Sequence, residues 1–299
     1  MEKRVTPFYK KLNAGGLRAM KKFAILLLGL ILILAGCGAK NNSGSTSTKT
    51  IKVGTTTSEV PTWNLIQKLA KKKNINIKIV RFDDYVQPNL ALSDGEIDIN
   101  AFQTVVYFDD FIKQRNLKLS AIGTTNIWPM GIYSKRYKKI SEVKDGDQVV
   151  IPKDPTNLGR ALLLLQKAGL ITTKKGFTGK GGLENVASNP KHLKITAVDA
   201  AQTPRGLDDS ALAVINCDMA INAGLNPTND SIFREDAGNK AYINIIAART
   251  KDKNDKTLKE IVNIYHSKEV SDFIKKHYKG AAVPVNKPVS YLKDYKQTQ

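Results

Sequence analysis

Strand-like and helix-like segments alternate along most of this chain, and that alternation limits the fold more than any single motif does. Ile51-Lys52-Val53 is a short alternating strand ending at Gly54, and Trp63, Ile66 and Leu69/Ala70 then recur at helical spacing. Ile75, Ile77 and Ile79 alternate with polar residues as a second strand. Pro88 to Leu92 continues a short helix, and Ile97-Asp98-Ile99-Asn100 reads as a third strand. Phe102 to Gln114 reads as helix and Leu117 to Gly123 as strand. A second series starts at Gln148-Val-Val-Ile-Pro152, with a helix from Leu158 to Ala168 stopped at Gly169. Lys194–Val198, Ala211–Ile215 and the apolar run Tyr242–Ala248 follow as strands, and an amphipathic helix carries Leu258, Ile261, Val262 and Ile264/Tyr265. Repeated βα units predict parallel sheets with helices on both faces. Two such series, the last segments returning to the first, predict two lobes joined by crossover strands near 128–131 and 242–247, with a ligand site between them.

The first 36 residues read as an address rather than as part of the fold. Lys21-Lys22, the apolar run Phe23 to Leu34 and the small residues Ala35-Gly36 before Cys37 have the form of an export signal. The run is too short for a comfortable membrane span, which needs roughly 20 residues. Leu34-Ala-Gly-Cys37 resembles a bacterial lipobox, which implies a lipid on Cys37 as the mature first residue. Residues 1–19 precede a complete signal, so Met1 and Met20 are both candidate starts. Residues 37–50 are polar and small after the cysteine and read as a flexible tether. The domain plan is therefore signal 1–36, tether 37–50, lobe 1 from 51–128 plus 246–299, and lobe 2 from 129–245.

Charge and cysteine content exclude several function classes. The net charge is +20, and the chain has 38 Lys against 9 Arg. A Lys-dominated excess points away from specific nucleic-acid reading, which favours the Arg fork. Removing the signal leaves +14, which suits a lipid-anchored body near an anionic leaflet. Cys37 and Cys217 are the two cysteines, too few for a disulfide framework, and His192, His266 and His277 show no metal-ligand spacing. No metal or cofactor site is expected. Walker A, HExxH, GxSxG and dinucleotide fingerprints are absent from the sequence. Ser290-Tyr-Leu-Lys293 matches SxxK without its companion motifs, and Asp83-Asp84, Asp109-Asp110 and Asp208-Asp209 are adjacent carboxylates that point different ways.

Asp154-Pro-Thr-Asn-Leu-Gly-Arg160 runs from a strand end into a helix whose first turns carry an arginine. Such a helix start can receive a carboxylate, and an arginine can add a bidentate fork; a solvated surface arginine is the plain alternative. Cys217 after Asn216 is either a thiol near a ligand or a small buried filler.

Phe82-Asp-Asp-Tyr-Val-Gln-Pro-Asn89, Ile97-Asp-Ile-Asn-Ala-Phe-Gln103, Asp154 to Arg160 with its Leu run, Pro204-Arg-Gly-Leu-Asp-Asp209 and Ala211-Leu-Ala-Val-Ile-Asn216 together resemble the NlpA family, in particular its methionine-binding lipoproteins that serve ABC importers. The resemblance spans the mature chain. It implies an α/β, two-lobed type II periplasmic-binding-protein fold with a hinge of crossover strands, on the extracytoplasmic face of the cell membrane. It also implies a non-enzymatic receptor that delivers L-methionine to a permease and its ATPase subunit, with no nucleic-acid partner. By the same resemblance the ligand residues are Tyr85, Phe102, Tyr107, Arg160, Asn216 and Asn244. Arg160 takes the carboxylate, the two asparagines take the polar backbone atoms, and the rings wall the thioether side chain. Two positions depart from the family pattern: Thr104 stands where a histidine follows Gln103, and Trp128 where tyrosine is more usual. A receptor for another amino acid or short peptide is the nearest alternative; a surface-interaction protein or an extracytoplasmic hydrolase is the alternative from a different class.

Overall fold

The computed structural model describes residues 50–295. The signal, Cys37 and nearly all of the tether lie outside the described residues.

The first pass of the chain builds β1 (Thr50–Thr56), α1 (Val60–Lys71), β2 (Asn76–Phe82), α2 (Gln87–Asp94), β3 (Ile99–Thr104), α3 (Val105–Arg115) and β4 (Leu119–Ile127). It then enters a second lobe made of β5 (Gly131–Tyr133), β6 (Gln148–Pro152), α4 (Pro155–Lys167), β7 (Thr172–Thr173), β8 (Val186–Ser188), β9 (Lys194–Val198), β10 (Leu212–Ile215), α5 (Cys217–Asn222) and β11 (Ser231–Arg234). The return adds β12 (Ile243–Arg249), α6 (Lys256–Tyr265), α7 (Lys268–Tyr278) and β13 (Val283–Pro284) to the first lobe. The first sheet has the order β13-β4-β12-β3-β1-β2 and the second β11-β5-β10-β6-β9. The βα units give parallel pairs, β2-β1-β3 and β9-β6-β10, while the strands that enter or leave the crossings run antiparallel to their neighbours. The fold is therefore α/β and two-lobed.

Helix spacing places the cores. Trp63, Ile66 and Ala70 of α1 meet Leu258, Ile261 and Tyr265 of α6 on one face of the first sheet, and Leu92, Phe108, Ile243 and Ile245 fill the other. In the second lobe Leu158, Leu162 and Leu165 of α4 pack on Val149, Ile151 and Val214. Asp154 caps α4 by accepting from Asn157 N at 3.0 Å, and Pro155 opens the helix where a missing N–H costs nothing.

The structure differs from the sequence reading at two places that matter. Phe102–Thr104 extend β3 rather than opening a helix, because Thr104 is the cap of α3 and its hydroxyl accepts from Tyr107 N at 3.3 Å. Residues 243–245, expected in the second lobe, are the first three of β12. Asn244 and Ile245 pair with Thr104 and Gln103 of β3, which secures them to the first sheet.

The two crossings are tied to each other. Met130 N donates to Glu235 Oε2 at 2.8 Å, and Glu235 N donates back to Met130 O at 3.0 Å. Glu235 is thus a fixed point between the lobes, eight residues ahead of the start of β12.

Candidate functional site

A small cavity lies where strand ends of both sheets meet, the place where ligands of open α/β sheets bind. Tyr85, Phe102, Tyr107, Arg160, Asn216 and Asn244, the six residues expected from sequence, all line it. Gln103, Thr104, Trp128, Asn157, Cys217 and Asp218 complete the wall.

One side is aromatic. Tyr85 from the loop after β2 lies 5.9 Å from Phe102 and 6.0 Å from Tyr107, ring centre to ring centre, and Phe102 lies 6.3 Å from Tyr107. Tilted and edge-on rings at these distances attract one another while leaving faces and edges for an apolar group. Tyr107 OH donates to Tyr85 O at 2.8 Å, which fixes the loop. Beneath the wall Asn89, Asn100 and Gln103 bond mutually, holding the end of β3 in register.

The opposite side is polar. Arg160 is 3% exposed, so it is not a surface residue. Its Nε donates to both Glu235 oxygens at 2.9 and 3.1 Å, and Nη2 donates to Glu235 Oε2 at 2.6 Å and to Trp128 O at 3.0 Å. The guanidinium also stacks on Tyr242, 4.1 Å from the ring centre. One edge of the fork is therefore filled by Glu235, and Nη1 is the group left for a ligand. Burial works against the arginine's charge, and the Glu235 carboxylate outweighs it, so the group stays protonated. Helix-start amides do not add a second anion site here: the Asp154 carboxylate already accepts from Asn157 N, Asn157 Nδ2 and the Thr156 hydroxyl. Arg160 instead links α4 to both crossings, through Trp128 on one and through Glu235 and Tyr242 on the other.

The two asparagines are anchored by their nitrogens. Asn216 Nδ2 donates to Asn157 Oδ1 at 2.9 Å, and Asn244 Nδ2 donates to Phe102 O at 3.2 Å. Their Oδ1 atoms are buried without a partner among the described residues, as is Asp218 Oδ2. Asp218 Oδ1 accepts from Tyr85 OH at 2.6 Å, a bond that joins the lobes. Cys217 is 1% exposed and burial pushes its thiol well up, so it is a neutral filler whose Sγ donates to Ala281 O.

Sequence reasoning missed Asp218, Glu235 and Glu59. Asp218 stands two places after Asn216, and the start of a helix there turns both toward one space. Glu235 carries no local signal, since its role depends on the crossing that the fold creates. Glu59 is 1% exposed; burial first, and then the Asp218 charge, push its pKa up to about 8 from 4.5. A carboxyl whose pKa is raised in the folded state stabilises the fold fully below pH 4.5, and that contribution drains away as pH rises through about 8. Wild-type melting temperature should therefore fall between pH 5 and 8 by an amount worth on the order of 2–4 kcal/mol. Glu59→Gln should flatten that slope and be the more stable protein at pH 8. Parallel slopes for the two proteins would show that Glu59 is ionised in the fold.

Comparison with known proteins places the chain. The family model of the NlpA lipoproteins matches residues 51–286. The D-methionine-binding lipoprotein MetQ of Salmonella typhi is 45% identical over 256 residues, covering 84% of this chain and 93% of its own. A nutrient-binding protein from Burkholderia cenocepacia, solved bound to methionine, is 45% identical with a TM-score of 0.76, over 78% of this chain and 99% of that one. Protein PG110 from Staphylococcus aureus is 44% identical with a TM-score of 0.80, over 83% and 99%. With its two-lobed fold, the cavity between the lobes and these relatives over most of its length, the chain belongs to the NlpA lipoprotein family.

Proposed function

We propose that this chain is a lipid-anchored, extracytoplasmic substrate-binding protein that captures methionine and delivers it to an ABC import permease with its ATPase subunit. The observation that carries the reading is the polarity of the cavity between the lobes. Arg160, whose hydrogen bonds run through Nε and Nη2, lines it together with Asn216 and Asn244, whose Oδ1 atoms are unpaired, and the Tyr85–Phe102–Tyr107 wall stands beside them. That combination fits a zwitterion with a soft apolar side chain, since a thioether packs well at ring edges. Relatives named for methionine, one of them solved with methionine bound, support the choice of side chain. Lipobox, tether and basic body support a position on the extracytoplasmic face of the cell membrane, and crossover strands are the kind of hinge about which two lobes close on a ligand.

Ligand-dependent melting tests the reading. At about 100 times its Kd, a ligand that binds only the folded state adds about 2.7 kcal/mol, or roughly 5–10 °C for a chain of this size. Methionine should give this rise, growing with its concentration and with no product formed, and Cys37→Ala should leave the rise intact while moving the protein to the soluble fraction. No rise at millimolar methionine, or turnover of the amino acid, contradicts the receptor.

A further inference from the structure

Three acceptor oxygens face the cavity with no donor among the described residues: Asn216 Oδ1, Asn244 Oδ1 and Asp218 Oδ2. Their residues are 7%, 5% and 7% exposed, so water is a poor substitute partner. A buried acceptor left unpaired is costly, and a buried carboxylate oxygen more so. The amides cannot turn to relieve this, because each Nδ2 already donates, to Asn157 Oδ1 and to Phe102 O.

Charge singles out one of the three. The Arg160 guanidinium is neutralised in place by Glu235, so the cavity holds no free positive charge to match Asp218. No cationic side chain pairs with Asp218: Oδ1 accepts from the neutral Tyr85 hydroxyl, and the other groups that favour its charge are the backbone amides of Asp218 and Met219 and the Arg160 guanidinium, which Glu235 already pairs. Burial, offset by that hydrogen bond, brings its pKa to about 6, so it is ionised at neutral pH. The neighbouring Glu59, with its pKa raised to about 8, stays mostly protonated at pH 7 and adds no second negative charge beside Asp218. Three acceptors, one of them anionic, complement a group with three N–H donors and one positive charge.

We propose that Asp218 is the counter-ion of the ligand's protonated α-amine, with Asn216 and Asn244 accepting its remaining N–H groups, so that the pocket selects free primary amines. This rests on the amino-acid receptor reading above and adds to it the end of the ligand at which charge is recognised. The carboxylate end meets an arginine already paired, and the amine end meets the unmatched charge.

The test compares methionine with its 2-hydroxy analogue, which keeps the carboxylate and thioether and loses the ammonium. Both are titrated calorimetrically into the full-length protein in detergent at pH 7. In the wild type the analogue should bind about 30-fold or more weakly than methionine. In Asp218→Asn methionine should lose about 30-fold or more and the analogue less than about threefold, so that the discrimination collapses. Tyr85→Phe separates a positioning role: if Asp218 served only to hold Tyr85, both variants would weaken methionine and the analogue equally, and the proposal is overturned. It is also overturned if Asp218→Asn binds methionine within about threefold of wild type, or if the wild type itself does not discriminate, an arm that needs no variant to fold. A wild type that binds neither compound refutes the methionine reading itself and the counter-ion role with it, whereas a wild type that binds methionine confines any failure to Asp218.

Discussion

Arg160→Ala is expected to destabilise the protein by about 3–5 kcal/mol and to abolish measurable methionine binding, because it leaves the Glu235 carboxylate buried without its partner. An arginine merely facing a cleft would be expected to cost little stability. This one is 3% exposed and makes four hydrogen bonds, three to Glu235 and one to Trp128 O, so fold and binding depend on the same side chain. The two effects can be separated. In Arg160→Met/Glu235→Gln no charge is left unpaired, and the new amide still accepts from Met130 N, now bonded to Glu235 at 2.8 Å. Replacing a buried ion pair by residues of similar volume is often nearly neutral. Stability measured by denaturant should therefore return to within about 2 kcal/mol of wild type, while methionine affinity stays at least about 30-fold down. Recovery of binding in the double variant would mean that the carboxylate is held elsewhere.

Gly159→Ala is the second large effect, and here the cause is steric. Gly159 sits in α4 where the loop between β7 and β8 crosses it. A Cβ there would run into the Gly179 carbonyl and come within 2.8 Å of Lys180 N, and both neighbours are backbone, unable to rotate away. The same loop carries Lys180, whose Nζ pairs with buried Asp110 of α3 in the other lobe. The substitution should cost about 2–3 kcal/mol or displace the loop, and in either case loosen that clasp, raising the dissociation rate more than it lowers the association rate. Two controls calibrate it. Lys180→Ala removes a half-exposed ammonium but leaves buried Asp110 Oδ1 without it, and should cost about 1–3 kcal/mol. Gly169→Ala has open space but φ of +76°, so it should cost about 1–2 kcal/mol from backbone strain alone. Gly159→Ala no worse than Gly169→Ala would show that the loop yields freely.

Much of this arrangement is legible in the sequence, for reasons that differ from residue to residue. Strand β9 could be placed from its pattern, because its alternation matches its two faces. Asp154-Pro155 marks the start of α4 because a capping carboxylate and a residue without an N–H suit that position and few others. The end of β3 was obscured because Phe102, Gln103 and Thr104 suit helix or strand equally, and only pairing with Asn244 and Ile245 of β12, some 140 residues on, decides it. Arg160 could be singled out, but not its partner. Glu235 meets it across 75 residues through the crossing of two lobes, and no local pattern records that. Asp218 is hidden for a related reason: a lone aspartate at a helix start usually reads as a cap. Here its environment is made by Tyr85 from the other lobe and by the depth of the cavity.

The most direct test of the methionine reading is a crystal structure of the protein grown with saturating methionine. One methionine per chain is expected in the cavity between the lobes, its side chain against Tyr85, Phe102 and Tyr107 and its carboxylate on the Arg160 guanidinium. Methionine found elsewhere on the protein, or a cavity that stays free of it at saturation, would contradict the account.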